Sequence, residues 1–218
     1  MSGVELPAGI SIADPRPVAA RAPYTFFLPH PDELAALAPG DAVKAIFKQQ
    51  SGETKYDAER MWVAVEEVAD GWVTGRLDNE PVDMPRFALG DPVRIPLTHV
   101  ISTRFAEGRQ RPAVPDRRQY WDRCFVDACV VEGRSHVDYL YREEPDMTRE
   151  GDEYPDSGWR LRGTQDAIDE DEANGDAPLY IALGAVLNKD DRWLPLIDSG
   201  YDRHFRWDEA SRSYSECC

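Results

Sequence analysis

The sequence predicts an α+β protein with two domains, a small β-rich N-terminal domain and an α+β C-terminal domain. Three observations support this prediction. The chain has 218 residues, which is enough for two small domains. Short alternating strands with turn residues between them fill residues 40–105, whereas mixed strand and helix patterns occur after residue 120. An apolar content of 42%, with 10% aromatic residues, is enough to build cores in both parts.

The N-terminal region begins with a segment, residues 1–23, that is rich in proline. Proline opposes regular helix, so we expect a flexible arm there. Aromatic residues at 24–28 predict a short strand. Residues 31–37 carry proline and acids in their first turn, and Gly40 follows them, so they predict a short helix.

The β-rich domain is predicted over residues 24–106. Apolar alternation predicts its strands, and Asp70-Gly71 is the dipeptide of a tight hairpin turn. Pro96 cannot donate to a strand ladder, so the last strand is expected at an edge of the sheet. These short strands predict a bent sheet or partial barrel. The predicted strands are residues 41–49, 60–68, 72–77 and 93–97.

Residues 107–119 are rich in proline and arginine and have no apolar period, so they are the predicted linker. Their local positive charge leaves three interpretations: plain solvation, docking against an acidic surface of the same chain, or a nucleic-acid contact. The last is disfavoured, because one short basic stretch in a chain of net charge −16 is a poor nucleic-acid footprint.

The C-terminal domain is predicted over residues 120–212, with a tail at 213–218. A buried strand at 124–131 is expected to pair as a hairpin with a strand at 137–142. Thr164 is a candidate cap for a helix at 165–173, which is either a solvated helix or a loop. The remaining predictions are a strand at 158–162, a strand followed by a helix at 179–187, and an apolar cluster at 193–198.

A long acid-rich loop breaks the C-terminal domain between Pro145 and Trp159. Residues 138–176 contain fourteen acids and four bases, which is −10 of the net charge of −16. Long loops inside compact domains are usually functional or disordered, so we interpret this one as a presented surface for a basic protein. The alternative is that the acids only confer solubility. The candidate partner-binding residues are Glu143, Glu144, Asp146, Asp152, Glu153, Asp156 and Trp159.

Trp159 has two interpretations. A flat aromatic ring beside carboxylates has the composition of a binding hot spot. Large aromatic side chains are highly buried on average, however, and the core interpretation is therefore favoured.

No residue pattern predicts catalysis, a metal site or a cofactor. Residues 169–180 lack the sixth-position glycine and the twelfth-position glutamate of a calcium-binding loop. The four histidines are scattered, and His99 is expected to be a hydrogen-bonded core residue. The alternative to a binding protein is an enzyme or small-ligand-binding protein with a site between the two domains, in which His99 or His136 faces a carboxylate.

The cysteines and termini predict a cytoplasmic, reduced protein. Cys124 and Cys129 lie in an apolar run and are expected to be buried free thiols. Cys217 and Cys218 are expected to be exposed thiols of the tail, with lipidation as the alternative. No signal peptide and no apolar run of membrane-spanning length is found, and the acidic charge disfavours nucleic acid or an anionic membrane as partner.

The N-terminal half resembles a known bacterial family, the domain of unknown function 2314. The resemblance is carried by E-R-M-W-V-x-V at 59–65, G-x-x-x-G-x-L-D-N-E-P at 71–81 and L-G-D-x-V-x-I-P-L-T-H-V at 89–100. It covers about residues 40–105 and implies a small α+β or all-β module. It implies no activity.

The C-terminal half resembles the immunity protein 33 family of bacterial polymorphic-toxin systems, also described as domain of unknown function 2185. Four motifs carry this resemblance, and they cover about residues 124–210. The family implies an α+β domain that neutralises a cognate toxin by binding it. The sequence thus predicts a non-catalytic bacterial binding protein, an immunity protein with an acidic face for a basic toxin, of undetermined oligomeric state. The motifs are S-H-V-x-Y-L-Y-R-E-E-P-D at 135–146, D-S-G-W-R at 156–160, L-Y-I-A-L-G-A-V-L-N at 179–188 and W-L-P-L-I-D-S at 193–199.

Overall fold

The computed structural model of the protein describes residues 6–49 and 55–217. The chain forms two compact units. The first contains the described residues up to Arg21 together with Phe26–Arg117, and the second contains Ala22–Thr25 and the described residues from Arg118 onward. Both sheets and helices are present, so the predicted α+β class is confirmed.

The first unit is built on a six-stranded antiparallel sheet that is nearly barrel-shaped. Its strands run in the order β1-β2-β3-β4-β5, and β6 also pairs with β2. Alternate residues of these strands, such as Val43, Val63 and Ile95, are fully buried in one core. The elements are β1 (Ile10–Ile12), α1 (Arg16–Arg21), α2 (Pro31–Ala35), β2 (Ala42–Gln49), β3 (Ala58–Ala69), β4 (Trp72–Leu77), β5 (Pro92–Pro96) and β6 (Ser102–Arg104).

Local sequence signals in the first unit produce the expected structures. Asp70 and Gly71 both have positive φ, 53° and 79°, which lets the two-residue turn between β3 and β4 match the twist of the strands. Helix α2 begins with a cap in which the backbone N–H of Asp32 donates to His30 Nδ1 at 3.2 Å and the backbone N–H of His30 donates to Glu33 Oε2 at 2.9 Å. Strand β5, which contains Pro96, pairs with β4 alone among the described strands, so its predicted edge position is confirmed.

Two predictions for the N-terminal region are wrong. The residues at 24–28 form no strand; instead Tyr24 belongs to the second unit, where its backbone N–H donates to Asn188 Oδ1 at 3.0 Å. The described part of the predicted arm is ordered, because β1 pairs with β2 from Ile10 to Ile12. A three-residue strand is too short for its pattern to be recognised from the sequence.

The arginine-rich segment after residue 106 is held to the rest of the first unit by two buried carboxylates. Arg109 Nη1 lies 2.5 Å from Asp41 Oδ2, and Arg111 Nη2 lies 2.5 Å from Glu33 Oε1. Asp41 also accepts hydrogen bonds from the backbone N–H groups of Ala38 and Ala106. These ion pairs tie the beginning of the predicted linker to the body of the first unit.

The second unit contains a six-stranded mixed sheet in the order β10-β7-β9-β8-β11-β12. Strands β7 and β9 are parallel, and the other neighbours are antiparallel. The elements are β7 (Arg123–Val126), α3 (Ala128–Glu132), β8 (Tyr139–Arg142), β9 (Asp156–Arg162), α4 (Gln165–Asn174), β10 (Leu179–Ala182), α5 (Leu183–Leu187), β11 (Arg203–Asp208) and β12 (Ser213–Cys217).

One face of this sheet carries the core, and helices α3, α4 and α5 contribute to it. Leu140, Trp159 and Leu161 point from the strands into a cluster with Val130, from α3, and Val186, from α5. Side chains alternate across a strand, so the residues between the buried ones lie on the opposite face. Those opposite-face residues include Phe125, Tyr141, Arg160, Arg162 and His204, which follow from the strand register.

The predicted hairpin of residues 124–131 with 137–142 is wrong. Strand β7 ends at Val126 and the run continues as helix α3, while β9 lies between β7 and β8. An apolar run that is buried in either state has no period that separates strand from helix. The predicted tail is also wrong over its described residues, because Ser213–Cys217 forms β12. Cys218 lies outside the described residues.

Candidate functional site

The acidic loop, residues 143–155, joins β8 to β9 and has no regular secondary structure. It contains six acids and a single base. Most of its residues are exposed, and the two strands that carry it are neighbours in the sheet. The loop therefore leaves and re-enters the sheet at adjacent positions and projects its acids from a rigid base.

A single guanidinium group holds the two ends of the acidic loop together. The side chain of Arg160 is only 6% exposed, and its Nη1 and Nη2 each donate to an oxygen of Asp156 at 2.9 Å. Its Nε donates to Glu143 Oε1 at 2.5 Å, and Nη2 also donates to Asp146 Oδ1 at 3.1 Å. Arg160 thus connects the first residues of the loop to the first residue of β9.

Asp156 is the buried partner in this cluster. Besides Arg160, it accepts hydrogen bonds from the backbone N–H groups of Gly158 at 3.0 Å and Met147 at 3.4 Å. Burial would raise the pKa of Asp156, but the Arg160 guanidinium and the Gly158 N–H outweigh it and hold the pKa below its ordinary value. Asp156 is therefore charged at neutral pH and fixes the fold of the loop base.

Gly158 is required by the same local geometry. Its φ is +79°, and a Cβ at this position would lie 2.1 Å from the backbone oxygen of Glu143. The backbone N–H of Glu143 also donates to Gly158 O, so the two strands approach closely at the loop base. No side chain fits here without moving β8.

The structure separates the predicted partner-binding residues into two groups. Glu144, Asp152 and Glu153 are exposed, and Asp146 is 72% exposed although it touches Arg160. Glu143 is partly exposed and also held by Arg160.

The other two candidates, Asp156 and Trp159, have fully buried side chains and so lie outside the exposed acidic surface. Trp159 packs against Trp193 with ring centroids 5.8 Å apart, and its indole N–H donates to Ile197 O at 3.3 Å. A buried side chain makes no direct contact with a partner, so Trp159 has the core role that its residue type favoured.

A second feature, which was not predicted from the sequence, is a pocket of about 320 Å³ on the sheet face opposite the core. It is called the Arg162 pocket below. Its sequence signal is the W-R-L-R pattern of β9, which places two arginines on the face opposite Trp159 and Leu161. The pocket is lined by Phe125, Val126, Asp127, Tyr141, Arg160, Leu161, Arg162 and Pro178.

Asp127 orients Arg162 in this pocket. Arg162 Nε donates to both carboxylate oxygens of Asp127, at 3.0 and 2.8 Å, and the Gly163 N–H donates to the same carboxylate at 3.0 Å. The side chain of Asp127 is buried, whereas that of Arg162 is 40% exposed. Among the described residues, no acceptor is hydrogen-bonded to Nη1 or Nη2 of Arg162.

The histidines and cysteines give no reactive constellation among the described residues. His99 is partly exposed and lies beside Thr98, with 3.0 Å between Nδ1 and Oγ1, so its predicted core position is wrong. His136 Nε2 lies 3.7 Å from Asp138 Oδ1. Cys124 and Cys129 are buried and free, as predicted, and burial raises the pKa of the Cys129 thiol to about 12.

Neither a metal-holding cluster nor a membrane-spanning helix occurs within the described residues. Within residues 6–49 and 55–217, no group of three or more histidine, cysteine, aspartate or glutamate side chains is arranged to hold a metal ion. Over the same ranges, no helix has both the length and the apolar character that crossing a membrane requires.

Two family models match this chain. Residues 124–216 match the Immunity protein Imm33 domain. Residues 32–111 match an uncharacterized protein conserved in bacteria, DUF2314. Both resemblances found in the sequence motifs are therefore confirmed, and the acidic loop and the pocket-lining residues all lie within the immunity-domain match. No curated protein and no solved structure matches the chain.

Proposed function

We propose that this protein is an immunity protein whose second unit binds a cognate toxin, and that the exposed carboxylates of the acidic loop contact a basic surface of that toxin. The observation that carries the proposal is the immunity-domain match over residues 124–216, which contains the whole acidic loop. Binding needs no catalytic residue in this chain, because occupying the toxin's functional surface is sufficient to neutralise it.

The anchoring of the loop supports a binding role. A loop that must become ordered on binding loses affinity, because ordering its side chains and backbone costs free energy. Here Arg160 already ties Glu143, Asp146 and Asp156 together in the free protein. The base of the acidic loop is therefore organised before any partner arrives.

The distribution of charge supports a basic partner. Arg160 offsets the acids at the base of the loop, while Glu144, Asp152 and Glu153 are exposed and have no ion-pair partner among the described residues. Such a patch accelerates encounter with a positive surface and sets its orientation, and salt weakens both effects.

The first test identifies the partner. The tagged full chain is purified from its own host in low and then moderate salt, and the retained proteins are identified by mass spectrometry. A stoichiometric basic protein that is lost as the salt concentration rises supports the proposal. A partner that is acidic, or whose retention does not change with salt, contradicts the role of the acidic loop.

The second test measures association rates with the purified partner. The loop variant combines Glu144→Gln, Asp152→Asn and Glu153→Gln, and the matched control combines Asp166→Asn, Glu172→Gln and Asp176→Asn, which removes the same charge from other exposed sites. We expect the loop variant to associate about tenfold more slowly at low salt and the control to change much less, because steering depends on charge close to the interface. Equal slowing of both variants would contradict the proposal.

A further inference from the structure

We propose that the Arg162 pocket is a binding site for a monocarboxylate with an apolar body, and that Arg162 receives the carboxylate. This site is separate from the exposed acids of the acidic loop, and its test needs no toxin. The inference therefore stands or falls independently of the proposed function.

The feature that points to a carboxylate ligand is the free edge of the Arg162 guanidinium. Asp127 engages Arg162 through Nε alone, which leaves Nη1 and Nη2 without a hydrogen-bond acceptor among the described residues. Two parallel N–H groups match the two oxygens of a carboxylate, and such bidentate pairs are among the strongest polar contacts in proteins. Nη1 and Nη2 of Arg162 are therefore available to a ligand.

The guanidinium group of Arg162 is also held in place. Asp127 is buried, and its second oxygen additionally accepts from the Gly163 N–H at 3.0 Å. Because the carboxylate of Asp127 is fixed by the backbone, it fixes the guanidinium in turn. A ligand that binds to Arg162 then avoids most of the cost of ordering a long flexible side chain.

The pocket walls define the rest of the ligand. The ring of Phe125 packs against that of Tyr180 with centroids 5.0 Å apart, and Pro178 adds a further apolar surface. A volume of about 320 Å³ is at the lower end of the range of small-ligand sites. A short aromatic or aliphatic body fits these walls. A fully polar ligand would make no apolar contacts with them.

The charge balance disfavours a ligand with more than one negative charge. Asp127 already offsets the charge of Arg162, and the acids at the loop base offset that of Arg160. Each negative charge on a ligand therefore adds repulsion, and a phosphate adds more of it than a monocarboxylate. A monocarboxylate uses the free N–H groups of Arg162 and adds only one charge.

Tyr141 supplies a second donor. It lines the same pocket, and burial raises the pKa of its hydroxyl, with Glu143 adding to this and Arg162 opposing it. The phenol is therefore protonated at neutral pH and able to donate to a carboxylate that Arg162 holds. Its partner on β9 in the sheet register is Arg160, which places it beside the arginines of that strand.

The test titrates the full chain with phenylacetate and hexanoate by isothermal calorimetry, with phenylacetamide and hexanamide as neutral matches. We expect saturable binding of the acids and binding of the amides that is at least about tenfold weaker, because charge-assisted pairs to arginine are lost. Arg162→Gln should abolish the preference for acid over amide. Tyr141→Phe, which keeps the ring, should weaken acid binding several-fold.

The control is Arg206→Gln, which changes an arginine on strand β11 that does not line the pocket. It should leave acid binding unchanged. Equal affinity for acid and amide, an equal loss in Arg206→Gln and Arg162→Gln, or no saturable binding of any probe would overturn the proposal.

A carboxylate with an apolar body has two possible sources: a free small acid, or the C-terminal residue of a protein chain. A tripeptide ending in phenylalanine, as free acid and as amide, separates them. Tighter binding of the peptide acid than of phenylacetate by about tenfold or more assigns the site to a chain terminus, since additional contacts then contribute. Equal or weaker binding of the peptide acid assigns it to a free small acid.

Discussion

Arg160 and Arg162 lie two residues apart on the same face of strand β9, yet their surroundings give them different roles. Arg160 is 6% exposed and is bonded to three carboxylates, so its donors are used within the fold. Arg162 is 40% exposed and is bonded to one carboxylate through one nitrogen. The number of acceptors around each guanidinium, rather than its place in the sequence, decides whether its donors are used within the fold or remain free for a ligand.

The first unit repeats the arrangement of the Arg162–Asp127 pair, in which the carboxylate is buried and the arginine is partly exposed. Asp41 and Glu33 are buried, and they are met by Arg109 and Arg111 from the segment after the sheet. In both units ion pairs therefore tie an irregular segment to a regular element or to a residue beside one. A buried charge with full partners strongly disfavours rearrangement, because separating the pair leaves one charge uncompensated.

The largest expected effect comes from removing the structural arginine. Arg160→Met should lower the free energy of unfolding of the second unit by about 3–5 kcal/mol, because Asp156 would be buried without its partner. Arg162→Met, the matched change two residues away, should cost less, because the guanidinium that is lost is 40% exposed and Asp127 keeps the hydrogen bond from the Gly163 N–H. Urea unfolding of both variants measures the difference. Equal losses would show that the two arginines are not distinct.

A smaller effect is expected from adding one methyl group at the loop base. Gly158→Ala should destabilise the protein by more than about 1 kcal/mol, because its φ is +79° and the new Cβ would lie 2.1 Å from the oxygen of Glu143. Gly175→Ala is the control, since its φ is also +79° but no atom lies within 4 Å of the new Cβ. Thermal melts of both variants separate the clash from the backbone preference, and similar shifts in Tm would refute the close approach.

The smallest effect concerns acid stability. The pKa of Asp156 is lowered in the folded protein relative to about 3.9 in an unfolded chain, so its stabilising contribution is present above about pH 4 and is lost as the pH falls further. Arg160→Met removes the main favourable partner of this carboxylate. The slope of unfolding free energy against pH below pH 4 should then decrease by up to about 1.4 kcal/mol per pH unit. An unchanged slope in urea titrations at pH 3 to 5 would contradict this.

Local signals were sufficient for much of the fold. The turn at Asp70-Gly71 and the edge position of Pro96 each depend on a few neighbouring residues. For the segment after Thr164 the local signals left a helix and a loop as alternatives, and the structure has the helix, without a capping hydrogen bond from the Thr164 side chain. The order of strands in the second sheet was not predictable, because β9 inserts between β7 and β8 through pairing over long sequence distances. Helix α3 was also missed, since its apolar run fits a strand equally well.

The candidate site, like the fold, was only partly predictable from the sequence. Composition located the acidic loop, because charged residues are mostly exposed, but it did not separate the exposed acids from the buried Asp156. Which acids remain free, and which are used by Arg160, depended on the folded arrangement of β8 and β9. The Arg162 pocket likewise exists only after β7, β8 and β9 are side by side, because its walls and its arginine come from three different strands.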